Sequence, residues 1–272
     1  MTALARSPVA RRFAARIDPR LKVVHADVMH RLRWSRSPVA RITRAYVRLH
    51  GLVVQDGPFK GMVYPRFAVG RGELVVAQLL GAYERELQDP IREVISHRYA
   101  SIVDIGASDG YYAVGFARAC PEATVTAFEM NPFPARVCRA LAAANGVADR
   151  IRLRGRCDLE ELRALPDAET FVLSDCEGCE RELIDPDAVP LLRSASLIVE
   201  LHELAAPGIE KLIRERFEKS HSIRIIHTEP RHIADYPLLL DVPGVSYMDR
   251  EVGLSEFRPA PMKWAVLEPL MA

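Results

Sequence analysis

The feature that most constrains this chain is a change of hydrophobic rhythm near residue 100. From there, five short β-prone runs, 101–105 (SIVDI), 123–129 (ATVTAFE), 150–154 (RIRLR), 169–175 (ETFVLSD) and 196–202 (SLIVELH), are each followed by a helix-compatible stretch. Strands alternating with helices of about a dozen residues predict an α/β fold, a doubly wound and mostly parallel sheet covered on both faces. Two further β-like runs, 222–228 and 263–269, are joined by polar, proline-broken chain. That connection is a poor crossover helix, so the expectation is a seven-stranded sheet ending in an antiparallel pair.

Residues 1–99 read as an extension to a domain spanning 100–272. Val39, Ile42, Tyr46 and Leu49 recur at helical spacing among arginines, and residues 52–64 form two β-prone runs around Asp56, Gly57 and Pro58. Helices with one apolar face are expected across residues 1–50, followed by a hairpin. From Glu73 to Tyr99, apolar residues at three-to-four spacing predict two helices, with Pro90 as the break. The segment 79–86 (LLGAYERE) holds Tyr83 and Glu84, placed just before the first strand of the sheet.

Charge is unevenly distributed. Residues 1–50 hold eleven arginines and one lysine against Asp18 and Asp27, a net of +10, which leaves −9 for residues 51–272 of a chain whose total is +1. The arm lacks interleaved aromatics for base stacking, so nucleic-acid binding rests on charge alone and is not favoured. Weak contact with an anionic surface, or with an acidic partner, fits at least as well. The first residues also have the composition of a mitochondrial transit peptide; the preferred reading is a basic amphipathic arm of the mature protein. No apolar run reaches the ~18 residues of a membrane span. Five cysteines, three of them scattered singly, suggest a reducing cytoplasm rather than a disulfide framework.

In an open α/β sheet, ligands sit beyond the carboxyl ends of the strands. After the first run comes VDIGASDGYY, in which Gly106 and Gly110 allow sharp turns and close approach to a ligand, with Asp104 facing the same crevice. Ser108 stands where a dinucleotide loop has its middle glycine, which disfavours a pyrophosphate. Glu129, some 20 residues beyond the loop at the tip of the second strand, is placed to hold a ribose diol. Acidic residues with no basic group in the loop suit a cationic, phosphate-free ligand carrying a ribose, a description that S-adenosylmethionine fits.

Residues ~100–205 resemble a class I S-adenosylmethionine-dependent methyltransferase of the FkbM type. The resemblance rests on D-x-G-A-x-x-G-Y-Y from Asp104 to Tyr112, on D-x-E-G-x-E at Asp175, Glu177, Gly178 and Glu180, and on V-E-x-H at Val199, Glu200 and His202. It implies a Rossmann-like fold with S-adenosylmethionine as cofactor. In that fold Asp104, Gly106, Ala107, Ser108, Gly110 and Tyr111 would line the methionine half. Glu129 would take the ribose, Met130 and Asp158 the adenine, and Asp175 would lie near the amino group and the reacting methyl. Tyr83 and Glu84 resemble the lid that such enzymes place over the cofactor.

The resemblance further implies methyl transfer to a hydroxyl of a small molecule, a sugar or secondary metabolite. A hydroxyl must lose its proton, and Glu177 and His202 are the candidate bases beside Asp175, with His227 as a third. Asp175, Glu177 and His202 are also compatible with a divalent metal, although the spacing is not diagnostic and no metal is expected. Glu256, Arg258 and Trp264 could edge the acceptor. Cys176 and Cys179 depart from the family pattern and read as two half-buried thiols, with a redox pair or zinc pair as alternatives. A non-catalytic cofactor-binding scaffold and an RNA methyltransferase using the arm are the rival functions.

Overall fold

The computed structural model describes residues 37–70, 74–166, 168–258 and 260–270. Most of the basic arm therefore lies outside the described residues, together with the helices expected there. The strands are β1 (Ser101–Ile105), β2 (Thr124–Phe128), β3 (Ile151–Arg154), β4 (Thr170–Ser174), β5 (Ser196–Glu200), β6 (His221–His227) and β7 (Lys263–Pro269). The helices are α1 (Pro38–His50), α2 (Val75–Leu80), α3 (Gln88–His97), α4 (Tyr111–Ala119), α5 (Pro132–Ala144), α6 (Leu159–Arg163), α7 (Glu180–Leu183), α8 (Ile209–Phe217), α9 (Pro237–Leu240) and α10 (Tyr247–Leu254).

Each of the seven β-runs predicted from residue 100 onward is a strand, its ends within two residues of those expected. The sheet order is β3-β2-β1-β4-β5-β7-β6. β1 to β5 run parallel, and β7 lies antiparallel between β5 and β6. The period-two alternation of strand side chains builds two cores. Phe171, Leu173, Ile198 and Trp264 join the larger cluster on one face, with Phe116 of α4 and Leu141 of α5. Val172, Leu197, Val199 and Ala265 point the other way, onto Ile209, Ile213 and Phe217 of α8.

The strand order reverses between β1 and β4, which opens a crevice at their carboxyl ends. Register does the placing. Ile105 pairs with Phe128 on one side and Ser174 on the other, and Ser174 pairs with Val199. Residues 106, 129, 175 and 200 therefore emerge side by side along one edge.

Two local expectations are corrected. In α1, Val39, Ile42 and Tyr46 are buried, but Leu49 is 50% exposed. His50, four residues after Tyr46, turns inward instead; its ring lies 4.8 Å from that of Tyr46 and its Nε2 is 2.9 Å from the Leu238 carbonyl oxygen. Pro90 does not break the helices. It sits in the first turn of α3, where no intrahelical N–H is lost, while Gly81 in a left-handed conformation ends α2. The expected hairpin is present, with one β-bridge, Val53 to Val63, and backbone hydrogen bonds from Val54 N to the Met62 carbonyl, Gly61 N to the Val54 carbonyl and Tyr64 N to the Leu52 carbonyl.

That hairpin welds the extension to the sheet. Its Phe59 packs edge-on against Tyr111, Tyr112 and Phe116 of α4, over Gly115. A Cβ at Gly115 would stand 2.5 Å from the Phe59 ring. Gly115→Val should therefore destabilise the protein by about 1–3 kcal/mol through overpacking, read as a lower midpoint in urea denaturation. An unchanged midpoint would show that the hairpin does not share this core.

Candidate functional site

The loop after β1 is built by backbone geometry. Gly106, Ser108 and Gly110 all take positive φ, of 89°, 47° and 90°. The turns are those expected, but the close approaches are made by protein. A Cβ on Gly106 would fall 1.8 Å from the carbonyl oxygen of Asp175, and one on Gly110 would fall 2.6 Å from Sγ of Cys138. Gly106 thus lets the β1 and β4 loops cross backbone to backbone, and Gly110 lets α5 close on α4. The Phe128 carbonyl accepts from both Gly106 N and Ala107 N, tying the same loop to β2.

Beneath the loop, Asp104 is buried with no hydrogen-bond partner at Oδ2. Burial raises its pKa to about 7, opposed by a backbone hydrogen bond from Ala113 and reinforced by Glu129 and Asp109. Glu129 is half-buried at the rim; its two carboxylate oxygens accept from Ser108 N (3.0 Å) and Asn131 N (2.5 Å).

A second group of side chains converges from the ends of β4 and β5. His202 is buried, with Nδ1 2.7 Å from Oε1 of Glu180, which is wholly buried. On its other side Nε2 lies 3.4 Å from Asp175, 3.5 Å from Glu177 and 3.5 Å from Glu200. Burial disfavours the imidazolium, but the hydrogen bond and charge of Glu180, with the charges of Glu200 and Glu177, outweigh it and raise the pKa of His202. Burial also lifts Asp175 to about 7 and raises Glu200, which faces the Asp175 charge. Arg258 spans Glu84 (2.6 Å), Glu256 (2.8 Å) and Glu200, and its guanidinium lies over Trp264 at 5.9 Å. Arg231 holds Glu86 and Glu256 at 2.8 and 2.6 Å.

Both groups border a cavity of about 780 Å³. It runs from Met130, Arg156 and Cys157, past Gly106, Ser108 and Glu129, to Tyr83, Glu84, Asp175, Glu177, His202 and Arg258. An adjoining cavity of about 420 Å³ reaches Asp104, Ala107 and Tyr111. Most of the predicted site residues are thus brought to one crevice. Four candidates are not. Asp158 caps α6, its Oδ1 accepting from Glu161 N at 2.8 Å, and does not line the cavity. His227 is exposed on β6, separated from β5 by β7. Trp264 is fully buried core, and Gly110 lies under the loop rather than on the wall.

Two carboxylates of this cluster received no role from the sequence, Glu180 and Glu200, although both stand in the quoted motifs. The signal was there: Glu200 and His202 are two apart and share a side of the strand end, while Glu180 lies three beyond Glu177. Asp175, Glu200 and His202 bring ligand atoms within 4.8 Å of one another, a donor set compatible with a divalent cation in which Glu200 replaces the largely exposed Glu177. Cys176 and Cys179 are not two thiols but a disulfide, set in the cavity wall.

No protein-family model matches the sequence, and no curated protein does. Solved structures do align with it. A precorrin-6y C5,15-methyltransferase from Geobacter metallireducens GS-15 is 18% identical, with 66% of this chain and 87% of that chain covered and a TM-score of 0.46. An O-methyltransferase from Bacillus cereus in complex with SAH is 13% identical (85% and 90% covered, TM-score 0.43). An O-methyltransferase from Streptomyces achromogenes involved in tomaymycin synthesis, in complex with SAM, gives the same four values. At such scores the fold assignment rests on the strand order and register themselves.

The buried Asp104 carboxylate allows a test of site against scaffold. Its raised pKa means the folded protein holds a proton that the unfolded chain releases, so Asp104 costs stability increasingly as pH rises from about 4 to about 7. Asp104→Asn should therefore raise Tm at pH 8 by about 2 °C or more, with the gain vanishing near pH 4, in a thermal melt across pH. A lower Tm at pH 8 would make Asp104 a structural support.

Proposed function

We propose that the protein transfers a methyl group from S-adenosylmethionine to the oxygen of a small hydroxyl-bearing acceptor, a sugar or secondary metabolite. The observation that carries this reading is the orphaned, buried Asp104 carboxylate beside a cavity ringed by further carboxylates. Glu84, Asp175, Glu177, Glu200 and Glu256 line that space with Arg258 and His202 as counter-charges. A cationic ligand offsets the excess; a phosphate-bearing one would add to it.

The ligand's parts match the walls. Asp104 and Asp175 face its amino group, and Glu129 can exchange its two backbone amides for ribose hydroxyls. Met130, 70% exposed, and Cys157 offer apolar surface to the adenine. Asp158 is occupied as a helix cap and is not needed there. When bound, S-adenosylmethionine supplies a methyl on a sulfonium, open to in-line displacement.

The chain's part is to orient the acceptor and remove its proton. Glu180 accepts from Nδ1–H of His202, which leaves Nε2 free to take the proton of a hydroxyl in the cavity. Glu84 and Glu200, pinned by Arg258, hold the acceptor's end of the space, and Tyr112 donates to Glu84. Tyr83 lines both cavities, where they adjoin.

Two outcomes test the reading. Glu129→Ala should weaken S-adenosylhomocysteine binding about 10-fold to 100-fold by calorimetry, the loss of two charge-assisted hydrogen bonds; normal binding would remove the cofactor assignment. A general base must be neutral, so turnover should rise with pH through a pKa above the ordinary 6.5 of histidine. Glu180→Gln removes the charge that raises it and should move that midpoint down, while His202→Ala should lower kcat about 10²-fold to 10⁴-fold. A pH profile identical in Glu180→Gln would exclude the dyad, and binding without turnover over hydroxyl acceptors would favour a scaffold.

A further inference from the structure

The disulfide Cys176–Cys179 occupies an unusual place. It joins two half-buried residues on the wall of the larger cavity, inside the loop that carries Asp175, Glu177 and Glu180. The residues it encloses, Glu177 and Gly178, both have positive φ, of 57° and 110°. For Glu177 that conformation is disfavoured by its own Cβ, so something must hold it there. A Cβ added at Gly178 would stand 3.0 Å from the Cβ of Ala205.

The same loop is wired to the dyad. Cys176 N donates to Oε1 of Glu180 at 3.2 Å, the oxygen that also binds Nδ1 of His202. On the other side, Asp175 and Cys176 form the backbone surface against which Gly106 is packed. A change at the sulfurs is therefore felt at the base, at Glu177 and at the crossing of the two loops.

The three remaining cysteines, Cys120, Cys138 and Cys157, are buried and free. Burial raises all three thiols, Cys138 and Cys157 to about 12. They are not thiolates at neutral pH and do not compete in exchange. Cys157 also borders the cavity, but as a buried thiol and not as part of a disulfide.

We propose that Cys176–Cys179 is a reversible thiol–disulfide site that sets the competence of the loop, with the oxidised form holding Glu180 on His202 and the reduced form releasing it. This rests on the proposed role of His202 and adds its control. The chemistry is exchange with an external dithiol. One thiolate of the dithiol attacks Sγ of Cys179, the S–S bond breaks, and the electron pair passes to Sγ of Cys176. The Ser174 hydroxyl, which donates to Sγ of Cys176 at 3.7 Å, stabilises that leaving sulfur, which then takes a proton. The second thiol of the dithiol resolves the mixed disulfide. Cys176 and Cys179 end as two thiols, and the reductant ends as a disulfide, two electrons and two protons having moved. A small disulfide such as oxidised glutathione reverses it. A ligand filling the cavity covers the pair, so binding and reduction oppose each other.

The test uses the full chain, oxidised and then treated with dithiothreitol under native conditions. Alkylation followed by mass spectrometry counts the thiols, NMR follows the titration of His202, and calorimetry reads S-adenosylhomocysteine binding. The expected result is that Cys176 and Cys179 become alkylated together, that the pKa of His202 falls, and that binding weakens about fivefold or more. Oxidised glutathione should restore all three, and Cys176→Ser/Cys179→Ser should show the reduced behaviour whatever the redox state. Saturating S-adenosylhomocysteine should slow the reduction. A pair that resists dithiothreitol in the folded protein, or a complete reduction that leaves His202 titration unchanged, overturns the proposal. Because thiol count and His202 titration need no cofactor, a failure of S-adenosylhomocysteine to bind at all sinks the functional reading while leaving this one decided by the other two.

Discussion

The structure depends on one backbone contact, the passage of Gly106 against the carbonyl of Asp175. It joins the loop after β1 to the loop after β4 at the point where the sheet reverses its order. A side chain of any size at position 106 would collide with it, since even a Cβ would stand 1.8 Å from the oxygen. Because the two loops are pinned at this crossing, Asp104 and Glu129 on one side and Asp175 and His202 on the other border connected spaces.

Electrostatics follow from that convergence. The chain gathers carboxylates where water is scarce, and Asp104, Asp175 and Glu200 are all raised by burial. Arg231 and Arg258 neutralise part of the excess through short ion pairs with Glu84, Glu86, Glu200 and Glu256. Such carboxylates cost stability, and the cationic ligand proposed above would offset that cost. The −9 body seen in the composition is thus concentrated in part at one site, whereas the +10 arm falls largely beyond the described residues.

Much of this was legible in the sequence because it depends on local pattern. Buried strands announce themselves as short apolar runs, and Gly106 and Gly110 marked the turns that their positive φ confirms. Asp104, Glu129, Asp175 and His202 could be placed because strand ends in such a sheet share an edge. Pairings made across the fold were not legible. Nothing local says that Glu180 reaches back to His202, that Arg258 bridges three carboxylates, or that His50 rather than Leu49 turns inward. The disulfide of Cys176 and Cys179 spans two adjacent residues with positive φ, Glu177 and Gly178, a geometry that composition does not reveal. His227 was misplaced because β7 inserts between β5 and β6, which chain order alone does not show.

The central claim is that the buried carboxylates await a cationic ligand, and proton linkage measures it most directly. Calorimetric titration of the protein with S-adenosylmethionine near pH 6.5, in buffers of differing ionisation enthalpy, reports the protons exchanged on binding. Asp104 and Asp175, both raised to about 7, are largely protonated there, and a bound cation lowers their pKa values. The account predicts binding with net release of protons that shrinks toward pH 8.5. Absence of binding, or binding with proton uptake, would contradict it.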